Sequence, residues 1–327
     1  MGKSLKTNCV FISALCAVML LCPCLTSCKD ETNGTAVDAA SSPAPWYGWN
    51  QYQIKPEDSL VRLGHDLIAN TSYYFGPKGK VAPITNGMNC QNCHVQAGII
   101  PWGNNFSAVI ISYPSFSGRS GKIQSLADRI NGCFQRSLNG QAIDSSSREM
   151  KAIIAYMHWI GDDVPIGKKP LGSGIMKLKY LDRPADPVKG QTVFVNNCRR
   201  CHGDDGQGQA DPNGYGYTYP PLWGEHSYNT GAGFYRISNV AGFVKNNMPF
   251  EEASYLHPKL SDEEAWDVAA FINSKPRPLF DTKNDYPDVS KRPVDDPSGP
   301  YADTFSAIQH KYGPFQPIAQ VIKKSKD

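Results

Sequence analysis

Ten cysteines and seven histidines are the residues of this 327-residue sequence best suited to redox or metal chemistry, and their spacing is uneven. Met88-Asn89-Cys90-Gln91-Asn92-Cys93-His94 and Cys198-Arg199-Arg200-Cys201-His202-Gly203 both contain CxxCH. Two thiols three residues apart on one helical turn can each form a thioether to a haem vinyl group, and the adjacent imidazole then points at the iron. The spacing predicts two covalently attached haem c groups, one on Cys90 and Cys93 with His94 as axial ligand, the other on Cys198 and Cys201 with His202. A zinc site built from the two CxxC pairs, or a pair of redox disulfides, would use the same cysteines but leave both following histidines unexplained.

Sixth ligands decide what such haems do. A methionine raises the potential and closes the site, which suits electron transfer. Met248 lies 46 residues after His202 and fits that role, with Lys245, His226 and His257 as weaker rivals and apolar packing as the plain alternative. The corresponding window after His94, residues 97–145, contains neither Met nor His, but it contains Cys133, 39 residues after His94. A thiolate ligand donates strongly and depresses the potential, which suits a haem that does chemistry. A buried structural cysteine and an intermolecular disulfide remain open for Cys133. Arg119, Arg129 and Arg136 stand near it in sequence and could form an anion pocket, since guanidinium forks match the oxygens of sulfate-like groups; pairing with haem propionates is the other use for them.

The elements that must position these groups follow from the flanks. Lys3 and Lys6 precede an apolar run too short for a comfortable membrane span, and Leu25-Thr26-Ser27-Cys28 matches a lipobox, so residues 1–28 read as a lipoprotein signal peptide with Cys28 lipidated. An ordinary signal peptide is the alternative, and both place the mature chain outside the cytoplasm, facing the periplasm or the cell surface. Removing the leader leaves Cys90, Cys93, Cys133, Cys198 and Cys201, an odd number, in an oxidising compartment. It also leaves 31 basic and 30 acidic residues, a balance that asks for neither nucleic acid nor an anionic membrane. Residues 29–55 lack periodicity and read as a flexible tether.

Leu60, Leu63, Leu67 and Ile68 predict a core-facing helix ahead of the first motif, and Val188, Val193, Phe194 and Val195 do so ahead of the second. Capping boxes at Ser146 with Glu149 and at Ser261 with Glu264 open two closing helices, which carry Ile153, Ile154, Met157 and Ile160, and Trp266, Val268, Ala269, Phe271 and Ile272. The order helix, haem, loops, helix thus occurs twice. The predicted fold is mainly α: two tandem class I cytochrome c domains with long loops, the first over 56–180 with the reactive haem, the second over 181–280 with an electron-transfer haem. Residues 162–187 read as the linker between them, and Pro- and Asp-rich residues 281–327 as a C-terminal arm without clear amphipathic pattern.

The stretch from Tyr113-Pro114-Ser115-Phe116-Ser117-Gly118-Arg119 through Arg129-Ile130-Asn131-Gly132-Cys133-Phe134-Gln135-Arg136-Ser137 resembles dihaem thiosulfate dehydrogenases, as do both CxxCH motifs and the arm around Gly299-Pro300-Tyr301 and His310-Lys311-Tyr312. The resemblance implies oxidation of two thiosulfates to tetrathionate, in some members reversed, at a His/Cys-ligated haem. It implies Cys133 as axial and catalytic thiol, and Arg119, Arg129 and Ser137 in the substrate pocket. Electrons would leave through the His202/Met248 haem to a soluble cytochrome or similar carrier. Some members exchange the methionine for a lysine just before it; Asn247 stands there in this chain. A non-catalytic dihaem relay, or a subunit of a larger sulfur-oxidising complex, are the competing readings.

Overall fold

The computed structural model describes residues 54–55 and 57–324; the leader, Cys28 and most of the tether lie outside them. The described residues are mainly helical. In chain order the longer helices are α1 (Ser59–Ala69), α2 (Leu126–Arg136), α3 (Arg148–Gly161), α4 (Pro187–Asn197), α5 (Ile237–Asn247), α6 (Asp262–Ser274), α7 (Ala307–Tyr312) and α8 (Phe315–Lys324). Short strands pair antiparallel: β1 (Gly103–Asn105) with β4 (Gly174–Ile175), β2 (Ser115–Ser117) with β3 (Lys122–Gln124), and β5 (Gln209–Ala210) with β6 (Tyr217–Tyr219).

Two hydrophobic cores form. In the first, α1 packs across α3, burying Leu67, Ile68, Ile153, Met157 and Ile160. In the second, α4 and α5 pack on α6 through Phe194, Val240, Phe243, Trp266 and Phe271. Each crossing is close because a glycine sits at it. A Cβ on Gly64 would lie 2.0 Å from the Ala152 carbonyl oxygen, and one on Gly190 would lie 1.9 Å from that of Asp267. Only a residue without a side chain lets backbones approach so closely.

Several sequence expectations are corrected. Leu60, Val188 and Val195 face solvent, Val188 at 77% exposure, because α1 and α4 present narrower apolar stripes than their sequences suggest. Ser261 and Glu264 form the expected capping box, but α3 is capped by Ser147, whose hydroxyl accepts from Met150 N–H, while Ser146 turns to Asp144. Within residues 162–187 the chain is tied to the first domain: Trp102 N–H donates to Gly172 O at 2.7 Å, and the Ser107 and Ser173 hydroxyls, both buried, meet at 2.8 Å. The arm is also more than a strap. α8 is amphipathic and buries Phe315 and Ile318 in the second core.

Candidate active site

The end of α1 holds the first motif. Thr71 Oγ1 accepts from Cys90 N–H at 3.0 Å, the Gln91 side chain donates to Ala69 O, and Asn89 and Asn92 cap each other across the turn Cys90–Asn92. Beyond His94 the chain is strained: Gln96, Ala97, Trp102 and Asn104 all adopt positive φ. Such conformations persist only where surrounding structure enforces them. Here they bring the Asn104 carbonyl to 2.7 Å from His94 Nδ1, and the Asn104 amide to 3.3 Å from Nε2. A carbonyl at Nδ1 makes that nitrogen the donor and leaves the lone pair on Nε2, the arrangement a metal-bound imidazole requires. Phe106 packs against the His94 ring at 4.2 Å.

Cys133 comes from α2, which opens with a reciprocal cap between Ser125 and Asp128. Four residues apart on one face, Arg129 Nη1 lies 2.8 Å from Cys133 Sγ. Cys90, Cys93, His94, Arg129, Cys133 and Ser137 line one cavity of about 770 Å³. Arg129 is exposed and lines this cavity beside Cys133. The charge of Cys133 raises its pKa, outweighing burial, and Tyr113 assists. Burial pushes the free Cys90 and Cys93 thiols up to about 12 and pulls His94 down to about 4, so the imidazole is neutral and able to ligate.

The other two arginines are anchored across to the second domain and the arm. Arg136 forms a bidentate pair with Asp285, both contacts at 2.7 Å, and its guanidinium lies over Phe280. Arg119, on the β2–β3 turn, donates to Gly231 O at 2.7 Å and lies 4.0 Å from the same carboxylate. Arg136 is thus neutralised, whereas Arg129 meets no carboxylate among the described residues. Loop residues 227–231 fasten this end of α2: Asn229 N–H donates to Arg136 O, and its side chain donates to Gln135 O. Sequence reasoning missed Asn104, Asp285 and Asn229; an asparagine at a left-handed position was the one local signal, for Asn104.

The second motif is built alike. His202 is buried, with Nδ1 2.8 Å from Pro220 O. Met248 ends α5, half-buried against the second core. Lys245 is engaged by Leu260 O and Asp262. Asn247 donates to Trp102 O at 3.2 Å, linking the residue beside Met248 to the segment that orients His94.

The residues fit haem c. The first motif's thiols, its histidine and Cys133 share one cavity, whose size lies within the roughly 300–1,000 Å³ of ligand pockets. Both histidines hold Nδ1 on a backbone carbonyl. All five described cysteines are free of disulfides.

Fold and site together define a c-type cytochrome of two domains, and family models agree: residues 80–166 match the SoxA/TsdA cytochrome c domain and residues 187–275 match cytochrome c. Relatives named thiosulfate dehydrogenase include one from Psychrobacter arcticus, 40% identical over 241 residues, covering 71% of this chain and 69% of the relative. Another, from Allochromatium vinosum, is 39% identical, covering 67% of this chain and 80% of the relative. The solved thiosulfate dehydrogenase TsdBA from Marichromatium purpuratum superposes with a TM-score of 0.62 at 29% identity, covering 72% of this chain and half of that one. The chain belongs to the thiosulfate dehydrogenase family.

Proposed function

We propose that this protein oxidises two thiosulfate ions to tetrathionate, with Cys133 as the reacting thiol. The observation that carries this reading is the Arg129 guanidinium 2.8 Å from Cys133 Sγ in the cavity that also holds Cys90, Cys93 and His94. Cys90 and Cys93 would attach one haem, and His94 and Cys133 would hold its iron; Cys198 and Cys201 would attach the other, whose iron His202 and Met248 would hold. Haem, when bound, supplies one-electron acceptors, two of which match the two electrons released.

The chain's own groups do the rest. Thiosulfate is a dianion, and bringing two together requires suppressing their repulsion, which is work for fixed cations. Arg129, beside the Cys133 sulfur, draws the first thiosulfate to it. Loss of two electrons joins the Cys133 sulfur to the outer sulfur of thiosulfate, giving a protein-bound S–S adduct that ends in a sulfonate. A second thiosulfate attacks the outer sulfur; tetrathionate leaves and the thiolate returns. Ser137 and Arg119, which line the same cavity, would receive sulfonate oxygens. The electrons pass to a soluble cytochrome or similar carrier. We also infer that the chain is exported and held at a membrane through Cys28, a reading that rests on the leader sequence.

Replacing Cys133 with Gly tests the mechanism. Turnover in both directions is lost while the covalent haem content, measured by intact mass, stays that of the wild type. A Cys133→Gly enzyme with wild-type turnover refutes the reading.

A further inference from the structure

The mechanism needs two anion seats, and Arg129 beside Cys133 accounts for one. The same cavity is also lined by Lys169, Lys177, Gly174, Ile175 and Asn239. Both lysines belong to the segment between the domains, which a sequence reading treats as a spacer. Its attachment is firm: β4 pairs with β1, the strand whose Asn104 holds His94, and Trp102, Ser107 and Ser173 tie the preceding turn. Lys177 lies just after β4 and donates from Nζ to Asn239 Oδ1 at 2.7 Å. Neither lysine forms an ion pair among the described residues. The carboxylate close to Lys177 is Asp295, whose side chain is fully buried and already bound by Arg236 at 2.6 Å and by Ser238 N–H. Burial and the positive charges of Arg236 and Lys169 lower the pKa of Lys177, outweighing the opposing charge of Asp295.

From this juxtaposition we propose that Lys169 and Lys177 form the second anion seat, which takes the sulfonate of the attacking thiosulfate and, in reverse, one end of tetrathionate. The inference rests on the proposed reaction at Cys133. It gives the interdomain segment a chemical role: tied beside the His94 loop, it presents cations to the same cavity that α2 lines. Haem propionates would be the other anions able to meet these lysines, and the two outcomes differ in what they perturb.

The test uses holoprotein and separates the seats. Tetrathionate loads Cys133 without net redox change: the thiolate attacks an inner sulfur, the adduct forms and one thiosulfate leaves. Intact mass detects the adduct. The loaded protein is then chased with thiosulfate, and tetrathionate release is followed against thiosulfate concentration. In the Lys169→Gln/Lys177→Gln variant, loaded at saturating tetrathionate, the half-saturating thiosulfate rises about tenfold or more, the effect shrinks at high salt, and both haem potentials stay at wild-type values. Lys169→Gln alone, at an exposed position, gives a smaller shift in the same direction and serves if the double variant folds poorly. An unchanged half-saturation, with or without a shifted haem potential, overturns the second seat; a shifted potential with unchanged chase assigns the lysines to propionates. Failure of the wild type to form any adduct refutes instead the reaction at Cys133, and the second seat falls with it.

Discussion

Arg129→Gln removes the cation closest to the reacting sulfur while keeping a side chain of similar length. Its Nη1 lies 2.8 Å from Cys133 Sγ, and about 4 Å is an ordinary charge separation for a sulfonate paired with that guanidinium. Two unit charges at that separation interact by about 4 kcal/mol at an effective dielectric constant near 20. The substrate's double charge increases this, and the access of Arg129 to the cavity reduces it through screening. A net loss of about 2–4 kcal/mol in transition-state binding is the result, or roughly 30- to 1,000-fold in kcat/KM. Steady-state reduction of ferricyanide by thiosulfate measures it, over a salt series, with the visible spectrum confirming intact haem. Arg129→Lys should recover part of the loss, since it restores charge but not the planar fork. A kcat/KM for Arg129→Gln within threefold of wild type refutes the placement of substrate beside this guanidinium.

Asp295→Asn leaves Arg236 without its buried partner and should cost about 3 kcal/mol, the low end for a broken buried pair because Arg236 keeps 23% of its side chain exposed; chemical denaturation measures it. Burial alone would raise the Asp295 pKa, but Arg236 and Ser238 outweigh it and hold the carboxyl below its usual range. Its contribution is therefore fully present above the unfolded value near 4 and is lost as pH falls through the folded value, so thermal melts below about pH 4 should slope less steeply in Asp295→Asn than in wild type. Gly190→Ala would place a Cβ 1.9 Å from Asp267 O and force α4 away from α6, at a cost of about 1–3 kcal/mol or more. A melting temperature unchanged by this substitution would contradict the close crossing.

What the sequence disclosed and what it hid differ by the range of the interaction. CxxCH is legible because covalent attachment imposes its spacing within five residues, and Cys133 stands out because five cysteines outside the leader leave one over. The Arg129–Cys133 contact is also local, four residues along α2, so the helix alone brings the pair together. The fates of Arg119 and Arg136 were not legible, because Gly231 and Asp285 lie over a hundred residues away, and no local pattern reveals that one carboxylate neutralises Arg136 while Arg129 has none among the described residues. α8 was obscured by Pro317, which falls in its first turn, where a missing N–H costs little, yet interrupts the helical signal. The lysines of the linker carry the same lesson further. Their composition suits a solvated spacer, and what changes their meaning is the pairing of β4 with β1, which depends on a strained turn after His94 that no propensity would favour. The haem motif can be recognised from a few adjacent residues, whereas the chemistry around it depends on which distant charges the fold leaves unpaired in one cavity.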